Sequence, residues 1–407
     1  MSLSATLPAG PGPGHAINPR PLGVALLLIL LGAWYLGQTV GASQAALYVV
    51  GALLGVTLYH AAFGFTSAWR VFIADGRGAG LRAQMIMLAV GVALFFPALS
   101  AGELFGTPVR GLVSPAGTSV IVGAFIFGIG MQLGGGCASG TLYTVGGGST
   151  RMIVTLIAFI AGSVIGTAHM PFWTSLPQLQ PVSLVKALGL VPALALNWIV
   201  FAVIAAMTVV VEKRRHGRLV AAHVQPAHAS PWLHGPWPLV AGAIALVLLN
   251  FATLALSGRP WGVTSAFALW GAKAASLLGV DVASWTYWSS KANAAALAAP
   301  VTQDVTSVMD IGIVLGAMLA AALAGRYAPV WRLPLRSLLA AVGGGLLLGY
   351  GARLAYGCNI GAYFSGIVSG SLHGWLWLVF AFGGNVLGTR LRPLFGLEVE
   401  RARPTAC

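Results

Sequence analysis

The stretch GTSVIVGAFIFGIGMQLGGGCASGTLYTVGGG, residues 117–148, decides the fold of this chain. Residues 117–135 are apolar and long enough to cross a bilayer as a helix. A Gly-rich turn leads into residues 137–148, about a dozen small, mostly apolar residues, which are too few to span. Such a segment is tolerated at membrane depth only where protein surrounds it or water lines it. The stretch therefore predicts a spanning helix followed by a re-entrant segment that begins at Cys137.

The second half of the chain repeats this pattern. An apolar run at 336–352 precedes Cys358, and residues 358–370 are again small, apolar and too few to span. The sequence GFTSA at 64–68 likewise matches GVTSA at 262–266. The chain therefore contains an internal repeat, with one cysteine segment in each half.

Apolar runs of spanning length recur through the whole chain. The chain is 57% hydrophobic and only 7% charged, whereas about a quarter of the residues of a soluble domain are charged. The predicted spans lie near 22–40, 45–62, 83–100, 117–135, 150–169, 189–211, 237–257, 307–325, 336–352 and 373–390. We therefore expect an all-α, polytopic integral membrane protein with about ten spanning helices and two re-entrant segments.

Basic residues cluster in the turns between these runs. The clusters are Arg70, Arg77 and Arg82; Lys213, Arg214, Arg215 and Arg218; Arg326, Arg332 and Arg336; and Arg390, Arg392, Arg401 and Arg403. Cytoplasmic loops of membrane proteins carry such an excess of Lys and Arg. If every cluster faces the cytoplasm, ten spans place both termini inside a bacterial inner membrane. The net charge of +14 is then a topology signal, and no nucleic-acid partner is expected.

Counting spans gives the two halves opposite orientations. Gly64 falls on the inner side and Gly262 on the outer side, while Cys137 follows an inward-running span and Cys358 an outward-running one. This pattern predicts an inverted-topology repeat in which the cysteines approach the midplane from opposite sides. The predicted division is a disordered arm at 1–21, a first repeat at 22–188, a connecting helix and basic loop at 189–236, a second repeat at 237–390 and a tail at 391–407.

Four stretches carry a likeness to a known family. They are AFGFTSAWR at 62–70, GGGCASGTLY at 134–143, GRPWGVTS at 258–265 and GYGARLAYGCNIG at 349–361. These motifs resemble the YeeE/YedE family of sulfur-transport membrane proteins, and the likeness extends over about residues 45–390. The resemblance implies thiosulfate uptake, with no enzymatic activity and no cofactor.

One position departs from the family pattern. The family usually carries a cysteine between two aromatic residues in the first motif, where this chain has Gly64 between Phe63 and Phe65. Cys407 lies in the tail and does not occupy that place. The three cysteines that the family places along the route are therefore reduced here to Cys137 and Cys358.

The two cysteines are the first candidates for contact with the substrate. A divalent sulfur anion needs donors in place of its water, because burying an uncompensated charge is costly. A thiol is a weak and polarisable donor that suits a terminal sulfur, and both thiols are expected to be protonated, because a thiolate would repel the anion. Glycines such as Gly136 permit close approach to the free N–H groups of a helix N-terminus.

Polar neighbours of these motifs form a second set of candidates. Two roles are open for Thr66 and Thr264: they line the transport route, or their hydroxyls bond to helix backbone. Two roles are likewise open for Ser139 and Asn359: they orient the anion, or they cap a helix. We also expect the Trp-rich stretch 261–288 to form an outer loop with an aromatic belt.

Two ionisable residues also have two interpretations each. Arg353 either attracts anions at the outer mouth of the transport route or is an interfacial charge that sets the orientation of its helix. Asp310 lies inside a predicted span, where ionisable residues are functional candidates, so it carries a coupling proton or lies near the interface.

The sequence thus predicts a carrier of a small inorganic sulfur anion, in first place thiosulfate, within the lipid bilayer, with a cytoplasmic sulfur-accepting protein as a candidate partner. Two alternatives stay open: a carrier for selenium species or another inorganic anion, and a membrane sulfur-transfer protein that uses a Cys persulfide. No CxxC or Cys/His cluster is present, so no metal site is expected.

Overall fold

The computed structural model describes residues 17–220 and 231–399, and most of these residues are helical. The α-helices are α1 Pro19–Thr39, α2 Ala42–His60, α3 Phe65–Asp75, α4 Ala79–Ala101, α5 Thr118–Gly134, α6 Ala138–Gly146, α7 Thr150–Ser175, α8 Leu184–Leu188, α9 Leu190–His216, α10 Pro231–His234, α11 Leu239–Ser257, α12 Thr264–Leu277, α13 Lys291–Ala298, α14 Val305–Leu323, α15 Leu335–Leu354, α16 Ser365–Val368 and α17 Leu372–Leu391. A π-helical turn, Asn359–Phe364, precedes α16, and 3₁₀ turns occupy Val282–Ser284, Val301–Gln303 and Arg392–Phe395.

Extended structure is confined to two short antiparallel pairs of strands in the described part of the chain. Strand β1, Glu103–Leu104, pairs with β2, Thr107–Pro108, and β3, Ala116–Gly117, pairs with β4, Gln178–Leu179. Both pairs lie in connections between long helices, so the helices alone form the body of the fold.

Nine helical stretches in the described residues are long and apolar enough to cross a membrane. Each of the ten predicted spans coincides with a long helix: α1, α2, α4, α5, α7, α9, α11, α14, α15 and α17. Helix α17 is the one outside the nine, and it carries His373, Asn385 and Arg390. The prediction of an all-α, multi-pass membrane protein is confirmed.

The helices form two six-element halves with matching contacts. In each half the order is long, short, long, long, short, long: α2 to α7 in the first, and α11, α12, α14, α15, the π-helical turn with α16, and α17 in the second. When each helix is replaced by its equivalent in the other half, every pair of helices compared here that packs together corresponds to another pair that also packs together. Helix α5 packs on α17 as α15 packs on α7, α2 on α14 as α11 on α4, α3 on α17 as α12 on α7, and α6 on α14 as α16 on α4. Of the long helices, α1 and α9 have no counterpart in this exchange.

Glycines allow the central helices to touch backbone to backbone. On α5, Gly123 lies against Gly351 and Leu354 of α15, while Gly134 lies against Gly344 at the other end. These contacts make α5 and α15 antiparallel neighbours. Small residues at membrane helix crossings permit such close approach, which favours packing where the hydrophobic effect supplies little.

Basic residues from distant parts of the chain meet at one end of this bundle. Arg82 pairs with the buried Glu212 at 2.6 Å, and Arg215 donates to the carbonyl of Ala74 at 2.8 Å. At that same end Arg392 donates to the carbonyl of Gln132 at 2.6 Å. We call this the basic end. It joins the turn before α4 to the ends of α5, α9 and α17.

Two chain segments differ from what the sequence predicts. Helix α1 begins at Pro19, where the fixed φ of proline suits a first helical position; residues 1–16 of the expected arm lie outside the described residues, as do 400–407 with Cys407. The expectation that residues 261–288 form an outer loop is wrong. They contain the 14-residue helix α12, and Trp261 and Trp288 at its two sides are buried. The helix is shorter than a span, so a search for spanning lengths passes over it.

The α5–α15 crossing gives a prediction about stability. We expect Gly344→Ala to destabilise the fold by about 1–3 kcal/mol, a typical result of overpacking, because the new Cβ falls on the backbone of Gly134. Thermal unfolding in detergent measures the effect. The adjacent Gly343→Ala is the matched control, since its Cβ meets nothing within 4 Å. Equal unfolding temperatures for the two variants would contradict the close crossing.

Candidate functional site

Cys137 is the N-cap of the nine-residue helix α6. Gly135 ends α5 with φ 96°, a conformation that glycine adopts without strain, and so turns the chain toward the cysteine. The Cys137 Sγ accepts the backbone N–H of Gly140 at 3.4 Å and lies 3.4 Å from the Oγ of Ser139. The thiol is only 2% exposed. A sulfur is therefore fixed, deep in the protein, at the positive end of a short helix.

Cys358 caps the second short helical run in the same way. Its Sγ accepts the N–H of Ile360 at 3.4 Å, and the side chain is fully buried. The run that follows, 359–368, begins as a π-helix because the carbonyl of Cys358 accepts the N–H groups of both Ala362 and Tyr363. Single π-helical turns are frequent at functional sites.

The two thiol-bearing turns meet in the core. They follow the C-terminal ends of α5 and α15, which are antiparallel, so the chain reaches them from opposite ends of the bundle. Helix α6 contacts the π-helical turn, and both cysteines belong to one cluster of buried residues. Cys358 is also close enough to Cys137 and to Asp310 to interact electrostatically.

The residues after the two cysteines differ in their contacts. Ser139 is buried against the Cys137 sulfur, as described above. Asn359 is fully buried, yet both polar atoms of its amide lack a hydrogen-bond partner within residues 17–220 and 231–399. The amide of Asn359 makes no capping bond. A buried amide without partners is rare and calls for a ligand or a function.

A polar network lies between the Cys137 turn and the basic end. Gln132, five residues before Cys137, donates to the Asn385 Oδ1 at 2.6 Å and to the carbonyl of Thr66 at 3.3 Å. The Arg70 guanidinium donates to the Gln132 Oε1 at 3.4 Å. The hydroxyl of Thr66 is buried without a partner among the residues that the structure describes. Thr66 is therefore held beside the network, while its hydroxyl remains available.

In the second half of the protein an arginine stands at the position that Gln132 has in the first half. Arg353, five residues before Cys358, donates to the hydroxyl of Thr264 at 3.3 Å and to that of Tyr287 at 2.8 Å. Its side chain is only 9% exposed. No carboxylate pairs with it in the described chain. The guanidinium thus lies inside the protein, next to the GVTSA motif of the second half.

Gly64 lies at the wall of a cavity near the basic end. The cavity has a volume of about 230 Å³, and its lining includes Gly64, Ser67, Arg77 and Gln84. A Cβ at Gly64 would meet the Ser67 hydroxyl, which now donates to the Gly64 carbonyl at 3.2 Å. Gly136, by contrast, is buried behind the Cys137 turn, against Gly140 and Met152.

Asp310 lies in the first half of α14 and is fully buried. Neither carboxyl oxygen has a hydrogen-bond partner anywhere in the described ranges. The carboxyl is therefore enclosed by protein in the first two turns of its helix.

Sequence reasoning missed the glutamine and asparagine side chains that connect these pieces. Gln84, Gln132 and Asn385 are all buried and hydrogen-bonded across helices. Each stands alone within an apolar span, and an uncharged amide gives a weaker signal than Asp310 does. Polar residues inside predicted spans are functional candidates, so that rule applied to amides would have found them.

The chain is similar to curated membrane transporters over most of its length. A profile described as sulphur transport matches residues 60–387. The thiosulfate transporter TsuA of Spirochaeta thermophila is 29% identical over 351 residues, which make up 83% of this chain and 95% of that protein. The thiosulfate transporter TsuA of Escherichia coli is 27% identical over 353 residues, 83% of this chain and 91% of that protein.

A further relative matches over a shorter stretch. The probable transporter YedE of Escherichia coli is 33% identical over 180 residues, which cover 43% of this chain and 43% of YedE. This chain therefore spans less than half of the length of YedE. Because the sulphur transport profile extends from the end of α2 into α17, the chain belongs to the sulphur transport family of membrane proteins, the YeeE/YedE family that its motifs resemble.

Proposed function

We propose that this protein carries thiosulfate into the cytoplasm across a bacterial inner membrane, with the anion passing between the thiols of Cys137 and Cys358. The single observation that carries this proposal is the meeting of two thiol-capped short helices in the core, reached from opposite ends of the bundle. The relatives that match most of the chain are named thiosulfate transporters, which supports the choice of anion.

Each thiol is arranged to donate. The sulfur lone pairs accept a backbone N–H, from Gly140 in one turn and from Ile360 in the other. With the Ser139 hydroxyl donating to the Cys137 sulfur, both S–H protons are left for a substrate, and a thiol is a weak donor to a soft sulfur acceptor. Two weak sites in sequence allow the anion to be passed on without being trapped.

Stronger groups flank the thiols and offset the loss of water. Removing an ion from water costs several kcal/mol even after relaxation of the protein, so weak S–H donors alone do not suffice. The buried Arg353 supplies positive charge before Cys358, and the unpartnered amide of Asn359 supplies N–H donors directly after it. Thr66 offers its hydroxyl on the side of Cys137.

The basic end faces the cytoplasm in this proposal, because Lys and Arg are retained on that side. The cavity at Gly64 is then the inner vestibule, and the Arg353 network belongs to the outer half. Both termini are cytoplasmic, and the anion leaves the passage toward any cytoplasmic protein that accepts its sulfur.

The geometry argues against a persulfide enzyme. A reactive thiol needs a base or cation to form its thiolate. Cys137 and Cys358 accept hydrogen bonds from backbone N–H groups, and no His, Lys or Arg is hydrogen-bonded to either sulfur in the described part of the chain.

We expect Cys137→Ala and Cys358→Ala each to lower thiosulfate uptake by about tenfold or more, which corresponds to the loss of one contact worth about 1.4 kcal/mol. Uptake is measured as growth on thiosulfate as sole sulfur source, and with ³⁵S-thiosulfate, in cells that lack their own sulfate and thiosulfate uptake. Cys407→Ala is the control thiol and should retain uptake. Normal uptake by both core variants, at equal membrane abundance, would refute the thiol mechanism.

The substrate itself is tested by competition in the same cells. Unlabelled thiosulfate should displace the tracer, whereas sulfate, which has no terminal sulfur, should not. Equal competition by selenite would favour a broader inorganic anion carrier.

Arg353→Gln should raise the KM for thiosulfate by about tenfold, since a buried guanidinium that attracts the anion is replaced by a neutral amide. Initial rates over a range of concentrations provide KM and kcat. Arg110→Gln is the matched control, because Arg110 is exposed in the connection between α4 and α5. An unchanged KM in Arg353→Gln would assign this arginine a structural role.

The orientation is tested by labelling. Both labelling variants are made in a Cys407→Ala background, because the tail thiol would otherwise be labelled from the cytoplasmic side. In a Gly64→Cys variant the new thiol lines the cavity at the basic end, so a membrane-impermeant maleimide should label it from the cytoplasmic side only. Arg110→Cys should label from the periplasmic side only, and Cys137 and Cys358 should stay unlabelled because both are buried. Labelling of Gly64→Cys from the periplasm would reverse the proposed topology.

A further inference from the structure

Asp310 has a structural equivalent in the other half of the protein. Helices α4 and α14 are exchanged by the repeat, and Gln84 and Asp310 are each the sixth residue of their helix. The contacts of these helices support that register. Gly91, thirteenth in α4, packs against Val368 of α16, and Ala317, thirteenth in α14, packs against Gly146 of α6.

The amide oxygen of the equivalent residue, Gln84, has two hydrogen-bond donors. Its Oε1 accepts the indole N–H of Trp69 at 2.9 Å and the hydroxyl of Tyr363 at 3.4 Å. Trp69 stands three residues after Thr66 in the first GFTSA motif, and Tyr363 stands five residues after Cys358. One donor thus comes from each half of the protein.

Both donors are missing around Asp310. Three residues after Thr264 stands Phe267, and five residues after Cys137 stands Leu142. Neither side chain can donate a hydrogen bond, and both are buried. The repeat therefore places a carboxyl group where the other half has an amide, and removes the two donors that would stabilise its ionised form.

Asp310 lies on the face of α14 that meets the Cys137 helix. Asp310, Val314 and Ala317 are spaced four and three residues apart, so they share one side of the helix, and Val314 and Ala317 pack on Gly146 of α6. Cys358 is within electrostatic range of Asp310. The carboxyl is therefore part of the region in which the anion is proposed to pass.

Other titratable groups do not compensate Asp310. The groups on elements packed against α14 are Arg20 and Tyr35 on α1, Tyr48, Tyr59 and His60 on α2, Tyr143 on α6, His234 on α10 and Lys273 on α12, with Asp304 and the two thiols beside them. None of these groups is hydrogen-bonded to the Asp310 carboxyl. Asp304 instead caps α14 by accepting the N–H of Ser307 at 2.7 Å. An ionised carboxylate is unstable in such surroundings, so the neutral acid is the resting form.

We propose that Asp310 is a proton-binding site that couples anion transport to the movement of a proton. The proposal rests on the transport function above. A carboxylate would repel the anion at the thiols, so the anion enters from the periplasmic side only after the carboxylate has taken a proton from water on that side. When the anion leaves toward the cytoplasm, the Oδ–H bond breaks, and the proton leaves to water on the same side. One proton then accompanies each anion.

The test uses the purified full chain in proteoliposomes, with the voltage held at zero by K⁺ and valinomycin. With the lumen one pH unit more alkaline than the outside, the wild type should accumulate ³⁵S-thiosulfate about tenfold, because one proton per anion transfers a tenfold proton gradient to the anion. A pH-sensitive dye in the lumen should report acidification during thiosulfate entry.

Asp310→Asn should abolish the accumulation above equal concentrations, and Asp310→Glu should restore part of it. Asp304→Asn is the matched control on the same helix and should accumulate thiosulfate as the wild type does. Wild-type thiosulfate entry without lumen acidification would overturn the proton proposal and leave the transport proposal intact. Tenfold accumulation by Asp310→Asn would overturn it as well. A wild type that passes no thiosulfate would overturn the transport function itself.

Discussion

A divalent anion can cross an apolar interior only where protein donors replace its water, and this constraint organises the centre of the structure. Water offers many donors at once, whereas the protein must offer few, at fixed places, and weakly enough to release the anion. In the proposed function the two short helices meet this requirement, because backbone N–H groups of their own turns hold the capping thiols at 3.4 Å and the thiols donate weakly to the anion. The surrounding helices are long because they must span, and the thiol-bearing helices are short because they must end inside.

The membrane potential makes the problem asymmetric. Because the cytoplasm is negative, moving one negative charge inward costs about 2.3 kcal/mol per 100 mV of membrane potential. A divalent anion costs about twice that amount. Fixed cations such as Arg353 attract the anion but do no net work over a cycle, because the anion must leave them again. A group that changes its own charge during the cycle can do such work. The buried carboxyl of Asp310 is such a group, because it loses its negative charge when it binds a proton.

Much of this architecture could be predicted from the sequence, and the failures have physical reasons. Spanning helices are predictable because lipid demands long apolar runs. The cysteines are predictable because each stands after glycines in a segment too short to span. Helices α3 and α12 were not predicted, because a short helix that is surrounded by other helices does not need to be long and apolar as a helix in contact with lipid does. The Gln132–Asn385 bond joins residues 253 positions apart, and no local pattern indicates such a pairing.

The backbone contact between α5 and α15 has a mechanical consequence. Gly134 and Gly344 touch without intervening side chains, so one helix cannot slide or tilt against the other without breaking packed backbone. The two thiol-bearing turns are attached to the ends of this stiff pair. In the proposed function, passage then depends on rearrangements of the thiol-bearing turns and their side chains, while the central pair of helices moves as one body. In the proposed coupled cycle, the passage therefore closes on one side by small local rearrangements before it opens on the other, without large movements of the central helices.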